Sequence, residues 1–341
     1  MGIQAAIRKV SQKEDLTFEE AHAAMRDIME GVASQAQIGA YLMGLRLKGE
    51  TVTEIAGSAA AMREVSRQLP MEIDGAVDTC GTGGDGSNTF NISTTASFVV
   101  AGAGVPVAKH GNRGASSKSG SADILSALGV NLELTPEKVA QCIQNVGIGF
   151  MFAVAFHPAM KHAIGPRREM GVRTVFNVLG PLTNPANVRR QVMGVYAKNL
   201  TESIANVFKE LGSEHVLVVH GEGGLDELTT TGVNYISELM NGSVKSYTLD
   251  PAELGLKRVT LAEIQGGEPA DNARITQAVL SGQGTQPQRE IVLLNAAAGL
   301  MAADKVKDIS EGLRLGAHIL DSGKALEKLD GLVKYSQEIA S

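Results

Sequence analysis

The chain has 341 residues, about twice the usual size of one domain, so two domains sharing a large core are expected. Hydrophobic residues make up 43% and charged residues 20%, the balance of an ordinary globular protein. A net charge of −6 with a pI near 5.7 argues against an extended nucleic-acid or anionic-membrane surface, while leaving room for a local basic pocket.

The start "MGIQAAIRKVSQKED" has no uninterrupted apolar core followed by a cleavage site, so no secretory signal is read there. Its Met-Gly opening suggests myristoylation, but Ala6 stands where Ser or Thr is required. The apolar runs "ASFVVAGAGVPVA" and "GIGFMFAVAF" fall short of the ~20 residues that span a bilayer. Cys80 and Cys142 form neither a metal spacing nor a disulfide framework. A cytoplasmic protein is expected.

The first 66 residues read as helices only, with capping boxes at Thr17/Glu20, Ser34/Gln37 and Thr51/Glu54. Gly31 and Gly49 stand where the first two of these helices should stop, and Ile38, Leu42 and Leu45 recur at helical spacing. From Gly75 the texture changes. "GAVDTC" reads as a buried strand, "NISTTASFVVAGAG" as a helix, and "VPVAKHG" as a second strand with a helix to follow. "TPEKVAQCIQNVG" opens with a Thr cap and a Pro in the first turn, a strong helix start. "IGFMFAVA", "RQVMGVYA" and "HVLVVHG" are further strands, with "TESIANVFKELG" a helix between the last two. This alternation predicts a mostly parallel sheet covered on both faces, and the chain from about Asp271 onward reads as chiefly helical.

"DTCGTGGDGSNTF" contains Gly81-x-Gly83-x-x-Gly86, the spacing of a dinucleotide fingerprint. That site needs its last glycine to open a helix and an acid to end the second strand, ~20 residues on. Here "SNTF" follows Gly86, the helix begins nearer Asn91, and the second strand ends in Lys109 and His110. The fingerprint is rejected in favour of a phosphate loop, in which glycines let backbone N–H groups approach an anion and Asn91, Ser93 and Thr94 add donors. "KHGNRGASSKSGS" sets Lys109, His110, Arg113 and Lys118 among small hydroxyl residues just past a strand, the end at which open α/β sheets bind ligands. In "GEGGLDELTTTG", Asp226 and Glu227 are adjacent acids. They can mark a turn or helix start, or, beside a pyrophosphate, hold Mg²⁺.

Together, "GTGGDGSNTFNIST", "KHGNRGASSKSGSAD", "HPAMKHAIGPRREMGVRTVFNVLGPLTNP" and "GLDELTTTG" closely resemble anthranilate phosphoribosyltransferase, over essentially the whole chain. The resemblance implies a small all-α domain over residues 1–70, to which 168–190 return. A large α/β domain over 71–167 and 191–341, like that of nucleoside phosphorylases, completes the fold. It implies transfer of the phosphoribosyl group of 5-phosphoribosyl 1-pyrophosphate to the amine of anthranilate, by a homodimer joined through the helical domain. Gly81, Gly84, Asp85, Thr89, Asn91, Ile92, Ser93 and Thr94 match the family's first phosphoribosyl pyrophosphate loop. Lys109, His110, Gly111, Asn112, Arg113, Gly114, Ala115, Ser116, Ser117 and Ser121 match its second. Gly81, Asn112 and Arg167 match positions that contact anthranilate, and Ser93, Asp226 and Glu227 the Mg²⁺ ligands.

On this reading no acid, base or nucleophile is assigned, and Lys109 and the metal stabilise the departing charge. His110 is open between proton shuttle and hydrogen-bond donor. His157 reads as packing or channel lining, Cys80 as a buried thiol, and Arg168 as facing solvent or sharing the carboxylate with Arg167. A pyrimidine-nucleoside phosphorylase, similar in fold, needs no paired metal acids. Nucleic-acid-binding relatives that lack the activity should bring a basic face.

Overall fold

The capping boxes at Thr17, Ser34 and Thr51 each start a helix: every hydroxyl accepts the N–H three residues on, and the Glu or Gln there reaches back to the cap backbone. The computed structural model, which describes residues 2–114 and 117–340, opens with α1 (Ile3–Ser11), α2 (Phe18–Met29), α3 (Gln35–Lys48) and α4 (Val52–Glu64). Gly49 ends α3 at φ +91°, a conformation that side-chain-bearing residues rarely adopt. Glu54, fully buried, caps its own helix and also accepts the Leu16 N–H at 2.9 Å and the Lys48 ammonium at 2.9 Å, tying three segments of the bundle together.

Strands and helices then alternate, with β1 (Val77–Gly81), α5 (Ile92–Gly102), β2 (Val107–Gly111), α6 (Ser121–Ala127), α7 (Pro136–Val146) and β3 (Ile148–Phe152). After β3 come α8 (Ala153–Phe156), α9 (Lys161–Met170) and α10 (Phe176–Leu182), then β4 (Arg190–Gly194), α11 (Leu200–Glu210) and β5 (His215–Gly221). β6 (Asn234–Met240) and β7 (Ser243–Leu249) precede four helices, α12 (Pro269–Leu280), α13 (Gln286–Ala302), α14 (Ile309–Asp321) and α15 (Lys324–Glu338). The sheet has the order β3-β2-β1-β4-β5-β6-β7, parallel through β5, with β6 and β7 antiparallel. The small helical domain and the larger α/β domain with its mostly parallel sheet are as the sequence predicts.

The β6–β7 hairpin is a finding of the structure. Its turn is Asn241-Gly242, with φ of +51° and +72°, the left-handed pair that a two-residue hairpin demands.

Successive strand residues point to opposite faces, so the two cores separate cleanly. Val192, Leu217 and Val219 face one apolar cluster with α5 and α13. Met193, Val195, Val216 and Val218 face a second, which continues into the helical bundle through Phe208 of α11 and through Val175, Phe176, Val178, Leu179 and Leu182. The strand order reverses between β1 and β4, and the loops leaving the carboxyl ends of β1, β2, β4 and β5 gather there. A crevice at such a reversal is where open α/β sheets bind ligands.

Candidate active site

The first wall is the loop after β1. Gly83, Gly84 and Gly86 all have φ near +70° (+69°, +73° and +74°), so the backbone curls as only glycine does readily. Gly81 is small for a different reason: a Cβ there would lie 2.3 Å from Asp226 Oδ2. Residues 87–91 separate Gly86 from α5, whose N-cap is Asn91, so the helix opening that a dinucleotide fingerprint needs is not made. Asp85 accepts the Ser87 N–H at 3.1 Å and its hydroxyl at 2.5 Å, closing the tip of the loop.

The second wall leaves β2. Lys109 is 2% exposed, and its ammonium donates to the Thr79 carbonyl. Beneath it, Asp78 is fully buried, accepting the His110 N–H at 3.3 Å and the Asn184 amide at 2.8 Å. Burial pushes the Asp78 carboxyl up, while Lys109 and Asn184 oppose that shift. Asp123, in the first turn of α6, accepts the Gly114 N–H at 2.8 Å, the Gly120 N–H at 2.9 Å and Arg113 at 2.9 Å. Burial raises the Asp123 carboxyl, but these three donors outweigh it and hold the group below its ordinary value. Asp123 thereby ties Arg113 and Gly114 to Gly120. Ala115 and Ser116 lie outside the described residues.

The third wall is the segment after β5. Adding a Cβ to Gly194 would bring it within 1.6 Å of the Asp226 carbonyl oxygen, so the end of β4 must be bare for this segment to pass. Asn295 of α13 grips the backbone of Leu228 on both sides, at 3.0 Å and 2.8 Å. Asp226 accepts the Gly83 N–H at 2.6 Å, and Glu227 accepts the Ser93 N–H at 3.1 Å. Both carboxyls stand well above the usual carboxylate range. For Asp226 the causes are burial and then the charges of Asp85 and Glu227. For Glu227 burial prevails over hydrogen bonding to Ser93 and the charge of Lys109.

Two carboxyls raised in this way, Asp226 buried and Glu227 half-buried, are what a hard cation would complete. Among the described residues no three His, Cys, Asp or Glu side chains gather as a metal nest. Two adjacent carboxyls match the demand of Mg²⁺, which takes one or two protein carboxylates and fills its shell with water and phosphate oxygens.

The three walls enclose a cavity of about 350 Å³. Of the residues matched to the first phosphate loop, Gly81, Gly84, Asp85, Thr89, Asn91, Ser93 and Thr94 line it. From the second, Lys109, His110, Gly111, Asn112, Arg113, Gly114, Ser117 and Ser121 do so, and from the acidic pair both Asp226 and Glu227. Ile92 is fully buried in the core. Arg167 does not line the cavity. Its guanidinium lies 4.9 Å over the Phe176 ring, and burial lowers its pKa. Asn177, the residue after Phe176, does reach the cavity.

His110 and His157 face each other with ring centroids 5.0 Å apart, each leaving a buried Nε2 without a partner. Burial and the neighbouring imidazole hold His110 well below its ordinary pKa, and burial takes His157 to about 4. Both are neutral at pH 7 and suit hydrogen bonding better than proton uptake. Burial raises the Cys80 thiol well above its ordinary value, so it is no nucleophile at neutral pH. Sequence reasoning passed over Arg173, whose guanidinium lies 4.0 Å over Tyr196 and donates to the Gly84 carbonyl. It also passed over Asn272, which reaches Asn91 from α12. Neither carries a local sequence signal.

Comparison with known proteins places these features. The helical bundle domain of the glycosyl transferase family matches residues 4–66, and the a/b domain of that family matches residues 74–326. An anthranilate phosphoribosyltransferase of Symbiobacterium thermophilum is 52% identical over 337 residues, covering 99% of this chain and 98% of its own. One from Anaeromyxobacter sp. (strain K) is 54% identical over 331 residues, covering 97% and 98%. Among solved structures, anthranilate phosphoribosyltransferase from Thermus thermophilus superposes with a TM-score of 0.93 at 45% identity, covering 97% of this chain and 99% of its own. The Saccharomyces cerevisiae enzyme in complex with PRPP and Mg gives 0.89 at 28% identity, covering 98% of each chain.

Proposed function

The chain belongs to the anthranilate phosphoribosyltransferase family, and from that premise we infer how its three walls divide the reaction. The enzyme transfers the phosphoribosyl group of 5-phosphoribosyl 1-pyrophosphate to the amine of anthranilate, giving N-(5-phosphoribosyl)anthranilate and pyrophosphate in tryptophan biosynthesis. The glycine loop and the 109–121 loop bind the sugar's phosphates. Asp226 and Glu227, with Ser93 beside them, hold Mg²⁺, a reading supported by the yeast relative solved with PRPP and Mg. When bound, the metal would neutralise charge building on the leaving pyrophosphate.

The chain's own residues supply the rest. The anthranilate nitrogen attacks the anomeric carbon as the bond to pyrophosphate breaks, and the bonding pair leaves with the diphosphate. Positive charge grows on the sugar and negative charge on the leaving group. Lys109, almost wholly removed from water, acts on that negative charge at a low effective dielectric. The aromatic amine is neutral at pH 7 and needs no base before attack. The proton it sheds afterwards passes to pyrophosphate or solvent, since His110 and His157 are poor acceptors. Asn112 holds the anthranilate carboxylate beside Gly81. Arg167 reaches it from outside the cavity lining, where it stacks on Phe176 next to the cavity residue Asn177. Catalysis is alignment plus charge stabilisation.

One observation carries this reading: Asp226, buried, and Glu227, half-buried, face a glycine loop and a buried lysine across one cavity. Calorimetric titration with phosphoribosyl pyrophosphate tests it, and binding should require both Mg²⁺ and the intact acidic pair.

Residues 1–70 with 168–190 form the small domain on this account, supported by the packing of Val175, Phe176, Val178, Leu179 and Leu182 with the apolar residues of α1–α4, in a cluster that extends onto β4, β5 and α11. A homodimer through that domain rests on the family resemblance, and Val32 at 69% and Leu47 at 75% exposure are apolar residues of that domain open to such a contact. A cytoplasmic location is supported by Cys80 and Cys142, both free thiols.

A further inference from the structure

α5 and α12 meet through a buried polar ladder. Asn272 of α12, 1% exposed, donates its amide N–H to Asn91 Oδ1 at 2.9 Å. One helical turn further along both helices, the hydroxyls of Thr95 and Thr276 meet at 2.7 Å. Each rung joins residues 181 apart in sequence, so the two helices run side by side in a single register. A slip by one residue would leave buried polar groups unpaired.

The ladder reaches both phosphate loops through Asn91. Asn272 Oδ1 accepts the Gly267 N–H at 2.8 Å, which turns its Nδ2 toward Asn91. Asn91 Oδ1 also accepts the Ser119 hydroxyl at 3.1 Å, and Asn91 Nδ2 donates to the Ser119 carbonyl at 3.1 Å. Asn91 makes no capping bond to its own helix. Its amide is taken up by joining the end of the glycine loop to the end of the 112–120 loop. The lead-in to α12 grips the first loop again, with Gly266 N–H donating to the Asn88 carbonyl at 2.8 Å.

We propose that Asn272 is a positioning residue for the phosphate-binding loops. From α12 it fixes the Asn91 amide and so sets the distance between the two loops. The proposal rests on the reading of these loops as the phosphoribosyl pyrophosphate site. A substrate with phosphate at both ends spans the parts of the loops that Asn91 joins, whereas the anthranilate contacts proposed above, Gly81 and Asn112, are set by the ends of β1 and β2 and not by the Asn91–Ser119 bonds.

Three variants test it: Asn272→Ala, the isosteric Asn272→Asp, and Thr276→Val. The Asp variant keeps the acceptor for Gly267 but turns an acceptor toward Asn91 Oδ1. Both Asn272 variants should raise the KM for phosphoribosyl pyrophosphate about tenfold, the worth of one hydrogen bond, with kcat and the anthranilate KM little changed. Amide exchange over residues 82–90 and 117–121 should quicken in the same two variants. Thr276→Val removes the lower rung, and should lower Tm while leaving KM and loop exchange as in wild type. Wild-type KM and loop exchange in a folded Asn272 variant overturns the proposal, as does an equal rise in Thr276→Val. A wild-type enzyme that consumes no anthranilate overturns the reading of the loops instead, and loop exchange then still decides the role of Asn272.

Discussion

Gly83 donates its backbone N–H to the Asp226 carboxylate at 2.6 Å, across 143 residues of chain. This bond joins the first wall of the site to the third. The same carboxylate that steadies the glycine loop is the one assigned to the metal, so loop shape and metal binding share one group.

Gly81→Ala tests the closeness of that contact. The new methyl would sit 2.3 Å from Asp226 Oδ2 and must displace it. Displacement of about 1 Å costs on the order of 100-fold in kcat/KM, with the Mg²⁺ requirement raised. Near-normal kinetics would show that the Asp226 carboxylate has no fixed place in the reaction.

For Asp226→Asn combined with Glu227→Gln, turnover should fall by on the order of 100-fold or more, and extra Mg²⁺ should restore part of it. The amides keep the volume and the Gly83 and Ser93 hydrogen bonds, so loss of folding is not expected. Full activity at low Mg²⁺ would dismiss the metal assignment.

Arg167→Lys should raise the anthranilate KM about tenfold, because a lysine cannot reproduce a two-pronged bond to a carboxylate. The KM for phosphoribosyl pyrophosphate should stay within error. Among the described residues Arg167 has no ion-pair partner, only the Phe176 ring at 4.9 Å, so its donors are free for a ligand. Equal damage to both substrates would remove it from this role.

At the opposite end of the sheet, His215 lies between Asp304 at 2.6 Å and Glu238 at 2.9 Å. Burial lowers its pKa, but Glu238 and then Asp304 outweigh burial and hold it above the ordinary value. A histidine raised on folding contributes fully below ~6.5, its unfolded value, and the contribution fades as pH rises through the folded value. The Tm difference between wild type and His215→Gln should therefore be largest near pH 6, by about 2 °C, and shrink toward pH 9. A difference that grows with pH would contradict this.

Much of this was legible in local sequence because local physics fixes it. Three capping boxes announced α2, α3 and α4, and apolar runs beside glycine announced the parallel strands. The hairpin of β6 and β7 carried a usable signal in Asn241-Gly242 that went unread, since β7 alternates only weakly and is half exposed. Other features had no local signal at all. That Gly81 and Gly194 must be bare depends on Asp226 passing against them, and the Asn91–Asn272 rung joins residues 181 apart. The sequence motifs named Arg167, yet its direction, stacked on Phe176 beside the cavity, followed only from packing.

The central claim is that two phosphate loops and an acidic pair act together on a departing diphosphate. Anthranilate fluorescence, followed with phosphoribosyl pyrophosphate in the presence of Mg²⁺ or of EDTA, tests it most directly. Fluorescence should fall steadily with all three components and stop falling on chelation. A signal that never falls, or that falls equally fast in EDTA, would contradict it.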